Sequence, residues 1–332
     1  MLLQFFAPLF WAILITILIT PISINLAQRL RLVDDPNSAP HKIHQHPVPR
    51  AGGISIAIVV FLLTWLSGKL TGIDTRAILS GSVFILLFGF VDDVRGLSAP
   101  WKLTGQFIAT LLLIGQGIQI RMLGSDTLIN IGLTFLWIVG ITNAFNFVDS
   151  MDGLALGLTA IAATFFIFVT IDAAQFHLTY LSVVLLGCCI GLLYFNTTPA
   201  QTFLGDSGAQ FLGFILATLA LAYTPPGLPQ PSSWFVPILL LGVPIFDTTL
   251  VVISRLQRGD PVYKAGQDHV YHRLVQLGMS SAQAVTTMHV AALLIGSLAF
   301  IALQQPPLEA NLIFGGIAIS GIIAINGLLK KS

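Results

Sequence analysis

Near the middle of the chain, Asn143, Asn146, Asp149 and Asp152 recur at every third residue, within the stretch Asn143-Ala-Phe-Asn-Phe-Val-Asp-Ser-Met-Asp-Gly153. On a helix that spacing steps each side chain about 60° round the axis, giving a slowly winding polar ridge. The ridge closes a run, Ile129 to Thr142, that carries no charge. A helix turning polar as it leaves a membrane is the simpler alternative. Two amides before the exit and two carboxylates set among apolar residues favour a site.

Further carboxylates lie in separate stretches. Asp92-Asp93 follow the apolar run Phe84–Val91 and precede Arg95. Adjacent carboxylates repel unless a cation or proton sits between them, and Mg²⁺ typically takes one or two carboxylates with water and substrate phosphates in its remaining positions. Asp206 lies in Phe203-Leu-Gly-Asp-Ser-Gly208, just before an apolar run. Glycines there allow close backbone approach, and a helix N-terminus is a natural anion site; Asp206 as a simple N-cap is the alternative. Asp268-His-Val-Tyr-His-Arg273, with Arg255, Arg258 and Lys264 upstream, has the basic and imidazole density that suits a pyrophosphate and a nucleotide. A zinc site is weakly supported, because two histidines three residues apart with no cysteine nearby make a poor ligand set. Lys42, His44 and Arg50 lie in a proline-rich stretch that could contact phosphate. Asp247, inside an apolar run, incurs an insertion cost of about 3 kcal/mol and is expected to pair within a helix bundle rather than to catalyse.

These groups need elements to hold them, and composition says which. The 332 residues are 55% hydrophobic and 9% charged, with a mean hydropathy of +0.88 and a net charge of +1. A soluble domain has about 25% charged residues. Apolar runs of about 20 residues recur throughout, long enough to cross a bilayer core of about 30 Å. The chain is expected to be an all-α polytopic membrane protein forming one helical domain over 1–332. About eleven spans are read, at 3–27, 52–70, 76–91, 103–120, 128–146, 154–171, 178–195, 208–223, 234–255, 283–303 and 310–329. The first lacks a basic leader and reads as an uncleaved span. Cys188 and Cys189, adjacent in an apolar run, read as packing residues rather than a disulfide.

Of the 15 Lys and Arg, all but Lys69, Arg76 and Arg121 fall on one side of this topology. That side is then cytoplasmic, with the N-terminus out and the C-terminus in. Its loops are about 28–51, 92–102, 147–153, 196–207 and 256–282. Ten of the 14 acidic residues gather on the same face. A transporter of an anionic substrate is the alternative reading, but it would place polar groups near the midplane. A lipid-binding scaffold gives no reason for so many carboxylates on one face, and a CDP-alcohol-type transferase would draw them from one helix. Chemistry on a lipid head group with a cytosolic co-substrate fits best.

Taken together, Pro47-Val-Pro-Arg-Ala-Gly-Gly53, Gly89-Phe-Val-Asp-Asp93, Asn143 to Leu154, Phe203 to Gly208, Val243-Pro-Ile-Phe-Asp247 and Asp268 to Arg273 resemble, in order, the polyprenyl-phosphate N-acetylhexosamine-1-phosphate transferase family (glycosyltransferase 4). More distantly they are similar to the phospho-MurNAc-pentapeptide translocases. The resemblance implies transfer of an N-acetylhexosamine-1-phosphate, GlcNAc-1-phosphate first among them, from a UDP-sugar to undecaprenyl phosphate, with release of UMP. The product would be the first lipid-linked intermediate of a cell-envelope polysaccharide. It implies Asp92, Asp93, Asp149 and Asp152 as catalytic residues and Asp92, Asp93 and Asp206 as ligands of Mg²⁺, with Mn²⁺ as a substitute. Lys42, His44, Arg95, Lys102, Asn143, Asn146, His269, His272 and Arg273 would bind substrate. A bacterial inner membrane location, a cytoplasmic active site and a homodimer follow at family level, with no nucleic-acid partner. Direct attack and a covalent intermediate both stay open. One departure stands out: where the family has a histidine before the last one, this chain has Tyr271, which donates a hydrogen bond but carries no positive charge.

Overall fold

The computed structural model describes residues 2–36, 46–68, 73–121, 128–224, 233–262 and 266–330. It is 79% helical. Apolar runs become helices because a backbone in lipid must satisfy its own N–H and C=O groups. The few polar side chains follow the same rule. Thr20, Thr64, Thr110, Thr134, Thr159 and Thr218 each donate their hydroxyl to the carbonyl four residues back in their own helix.

The chain groups into two compact units, Met1–Thr224 and Pro225–Ser332. In the first, α1 (Phe6–Arg29) leads to a two-residue antiparallel pair, β1 (Val33–Asp34) and β2 (Val48–Pro49). Then come α2 (Gly52–Leu66), α3 (Ile73–Arg95), α4 (Ala99–Gly115), α5 (Leu128–Val148), α6 (Leu154–Asp172), α7 (Phe176–Asn196) and α8 (Gly205–Ala222). The most enclosed of the long helices is α8, which packs against α2, α3 and α5. Two approaches at its start admit only the smallest side chain. A Cβ on Gly53 of α2 would lie 2.4 Å from the Cα of Gly208, and one on Gly89 of α3 would lie 2.5 Å from the Cα of Ser207. These contacts draw the site end of α2 and α3 onto the first turn of α8.

In the second unit α9 (Val236–Leu240) and α10 (Gly242–Arg258) are separated by Leu241, whose dihedrals (φ −105°, ψ 18°) are not helical. A short α11 (Val270–Gln276) precedes α12 (Ser281–Ala302) and α13 (Pro307–Leu329). A reciprocal capping box between Ser280 and Gln283 starts α12. Along α13 the apolar side chains Leu308, Leu312, Ile319, Ile322 and Ile323 are exposed, as expected of a surface solvated by lipid.

All-α membrane architecture is what composition implied. Of the eleven expected spans, eight coincide with helices long and apolar enough to cross a membrane. The other three are helical but shorter. At 15 and 17 residues, α2 and α4 rise only about 22–26 Å. The ninth is the broken pair α9 and α10.

The Gly53 contact is directly testable. Gly53→Ala must push two helix backbones apart and is expected to destabilise the protein by about 1–3 kcal/mol. Gly132→Ala in α5, where an added Cβ meets nothing within 4 Å, should be neutral or slightly stabilising. Thermal unfolding in detergent compares the two; equal melting temperatures would mean that the α2–α8 contact is not close-packed.

Candidate active site

The site of the first unit is built on one carboxylate. Asp93, in the last turn of α3, accepts the Asp206 N–H at Oδ1 (2.8 Å). Its Oδ2 accepts the Ser207 N–H (3.0 Å) and the Ser207 hydroxyl (2.7 Å). An acid from α3 therefore caps α8, where unpaired N–H groups and the helix dipole favour negative charge. Gly205 makes the approach possible. It has φ +75°, and a Cβ there would fall 2.7 Å from Asp93 Oδ2. Asp206 is consequently not the cap of its own helix; it lies within the first turn, and its own N–H is donated to Asp93.

Next to it, Asp92 accepts the Leu97 N–H at Oδ1 (2.6 Å), which fixes the turn between α3 and α4. Its Oδ2 pairs with the ammonium of Lys102. The same Lys102 Nζ stands 3.3 Å from Asp206 Oδ1, so one cation bridges acids from two different helices. Arg50 approaches from the hairpin, pairing with Asp34 and reaching Asp93 Oδ1 at 3.6 Å. Its backbone is fixed by strand-like pairing with Phe203. Phe203 N–H donates to Pro49 O, and Gly52 N–H donates to Phe203 O, each at 2.9 Å.

The 143–153 stretch joins this cluster, though not as one helical ridge. α5 ends at Val148, so Asn143 and Asn146 are on the helix while Asp149 and Asp152 follow it in a turn. Gly153, with φ +74°, directs the chain into α6. Asp149 is half-buried, and desolvation, reinforced by the charges of Asp206, Asp93 and Asp152, holds its carboxyl well above the usual carboxylate range. Asn143 is engaged by neighbouring amides. Its Nδ2 donates to Gln106 Oε1 (2.7 Å), and Gln106 Nε2 donates to Gln210 Oε1 (3.0 Å), tying α5, α4 and α8 together.

Buried Asn196 was not singled out in the sequence. Its Oδ1 accepts the Gly153 N–H (3.0 Å) and its Nδ2 donates to Thr202 O (2.8 Å), joining the two acid-bearing loops. The available signal was an amide closing the apolar run that ends at Phe195.

In the second unit, Asp247 is fully buried in α10 and accepts from Val270 N–H at Oδ1 and pairs with His269 Nδ1 at Oδ2, both at 2.7 Å. This is the bundle partner its sequence position called for. Asp268 is gripped by Arg255 (3.1 Å) and Arg258 (2.7 Å); burial opposes ionisation, but the guanidiniums outweigh it and hold the carboxyl below its ordinary range. Arg273, expected to bind substrate, makes structural contacts with Ser254 Oγ, Asp268 O and Leu328 O. Tyr271 bonds through its hydroxyl to His272 Nε2 (2.7 Å).

Thus Asp92, Asp93, Asp149, Asp152, Asp206 and Lys102 are brought together in the first unit. Asn146 is half-buried on α5, and Arg95 is exposed in the last turn of α3. Lys42 and His44 lie outside the described residues. Among the described residues no three His, Cys, Asp or Glu are already disposed as a metal cage. The donor set nonetheless suits a cation: acids outnumber bases in the cluster, Lys102 occupies the position between two of them, and Asp149 is driven towards its neutral form.

Residues 75–224 match glycosyl transferase family 4, a stretch that contains this entire acidic cluster. The chain is 33% identical to the probable undecaprenyl-phosphate N-acetylglucosaminyl 1-phosphate transferase of Bacillus subtilis, covering 96% of this chain and 91% of that protein. It is 30% identical to the decaprenyl-phosphate N-acetylglucosaminephosphotransferase of Mycobacterium leprae, over 96% of this chain and 89% of that one. It is also 30% identical to the phospho-N-acetylmuramoyl-pentapeptide-transferase of Bacillus velezensis, over 86% and 93%.

Asn196→Ala should cost about 1–3 kcal/mol by orphaning the Gly153 N–H and the Thr202 carbonyl, and should depress turnover by loosening both loops. Melting and activity measured on the same preparation check this. Unchanged values for both would remove Asn196 from the framework.

Proposed function

Since the chain belongs to glycosyl transferase family 4, as its relatives along nearly its full length show, we infer that it transfers N-acetylglucosamine-1-phosphate to a polyprenyl phosphate. The observation that carries the mechanism is the acidic cluster at the joined ends of α3 and α8, with Lys102 between Asp92 and Asp206. We place the donor, a UDP-sugar, and the acceptor phosphate at this cluster. An acceptor oxygen forms a bond to the sugar-bearing phosphorus as the bond to UMP breaks.

Both substrates are anions, so their encounter needs positive charge. Lys102 and Arg50 supply it within the first unit; in the second unit, His269 and His272 are the residues that the family resemblance assigns to substrate. Asp92 or Asp93 is proposed to take a proton from the acceptor; Asp93 receives three hydrogen bonds from the first turn of α8, and Asp92 one from Leu97 besides its pairing with Lys102. Asn146, Asp149 and Asp152 are assigned to the nucleotide. Asp92 and Asp206 would hold Mg²⁺, with Asp93 fixing their spacing. When bound, the ion would neutralise charge on the leaving phosphate. The cytoplasmic face of a bacterial inner membrane is the proposed setting, because the basic residues gather at that end of the topology.

Asp206→Asn should abolish turnover while the protein melts within a few degrees of wild type, because the Asp206 side chain does not cap its helix. The assay is UMP release from UDP-GlcNAc and undecaprenyl phosphate with Mg²⁺, and EDTA should stop it. Release of UDP instead of UMP, or undiminished activity in EDTA, would overturn the reading.

A further inference from the structure

The proposed substrate-binding role of His269 leaves open what sets the chemistry of its ring. The second unit holds a buried carboxylate that no step above uses. Asp247 has no exposed surface, and its two oxygens address consecutive residues: Oδ2 meets His269 Nδ1, and Oδ1 accepts the Val270 N–H, each at 2.7 Å. His269 is the N-cap residue of α11, with φ −69° and ψ 156°, yet its side chain does not cap that helix. Asp247 does so in its place. The imidazole face is fixed as well. It stacks on the Tyr271 ring at 5.7 Å and 11°, and Tyr271 is itself 2% exposed and bonded to His272 Nε2.

We propose that Asp247 is a positioning residue for phosphosugar transfer: it holds His269 in the tautomer with its hydrogen on Nδ1 and fixes the ring orientation. A carboxylate accepts and does not donate, so the hydrogen of the shared contact belongs to Nδ1 and Nε2 is left with a lone pair. The Tyr271 substitution fits this arrangement. A second histidine at that position would add a titrating ring, whereas tyrosine supplies a neutral wall for His269 and a hydroxyl for His272. The inference rests on the assignment of His269 to substrate given above, and its test separates the two.

Asp247 has two roles, helix cap and ring orientation, and two substitutions divide them. Asp247→Asn keeps an oxygen for the Val270 N–H but turns an amide N–H towards Nδ1, so the ring hydrogen moves to Nε2. Asp247→Ala removes both. Both are made in the full-length protein in detergent, and ¹⁵N-histidine NMR reports the tautomer, with His269→Gln assigning the signal.

We expect the wild-type ring as Nδ1–H and the Asp247→Asn ring as Nε2–H. Its kcat should fall about 10- to 100-fold while KM for the UDP-sugar changes little. Asp247→Ala should lose at least as much turnover and should also melt lower, because the capping bond goes with it. An Nε2–H ring in the wild type overturns the proposal, as does an Asp247→Asn variant of unchanged kcat. If Asp247→Asn does not fold, the wild-type spectrum still decides. Absence of UMP release by the wild type would count against the proposed reaction, while the spectrum would still report on the pair.

Discussion

Everything at the acidic cluster of the first unit depends on one carboxylate meeting one helix end. Asp93 places both oxygens on the first turn of α8 and receives three hydrogen bonds there. Charge-assisted bonds of this kind are roughly twice as strong as neutral ones, and water competes poorly for them where the site is enclosed. Because Asp93 is covalently next to Asp92, and its donors are Asp206 and Ser207, the clamp also sets where Asp92 and Asp206 stand. The glycines follow from this. Gly205, Gly89 and Gly53 are the places where a Cβ would hold α3 or α2 off α8 and break the clamp. A site made from separate stretches of chain is thereby given the rigidity of a single element.

The second unit solves a similar problem in the same way. Asp247 binds the N-terminus of α11 much as Asp93 binds that of α8, with one oxygen on a backbone N–H and the other on a side chain. Asp268 is consumed by Arg255 and Arg258, and Arg273 by backbone carbonyls and Ser254. In a chain that is 9% charged, each ionisable group is costly to bury, and many of them serve to locate the others.

The architecture was legible in the sequence because lipid imposes a simple rule: long apolar runs must be helices. The acids that the first unit gathers were legible as candidates, since carboxylates are scarce in such a chain and their positions stand out. What could not be read was the division of labour among them. Asp92 and Asp93 look alike in sequence, yet one faces Lys102 and the other a helix end. The alternative reading of Asp206 as an N-cap gives way to Asp93, which accepts the Asp206 N–H and caps the helix from α3. The every-third-residue pattern from Asn143 to Asp152 suggested a continuous helix, but Gly153 at positive φ ends that geometry and sends Asp149 and Asp152 into a turn. Asn196 and the Gln106–Gln210 pair act through partners about 40 to 100 residues away in sequence, which no local spacing records.

The carboxylates of the first unit divide by what their oxygens face, and that division bears on the chemistry. Asp93 faces hydrogen-bond donors on both oxygens. Asp92 and Asp206 face each other across a single ammonium, and Asp149 faces Asp206, Asp93 and Asp152. Like charges gathered in a partly desolvated site favour a cation beside them, and Lys102 is one such cation. On the proposed function, a nucleotide diphosphate arriving here would add still more negative charge, and a divalent cation entering with it would relieve both excesses at once. Placing like charges together against such a clamp would then make the cluster receptive to a cation and its phosphates without a closed metal cage.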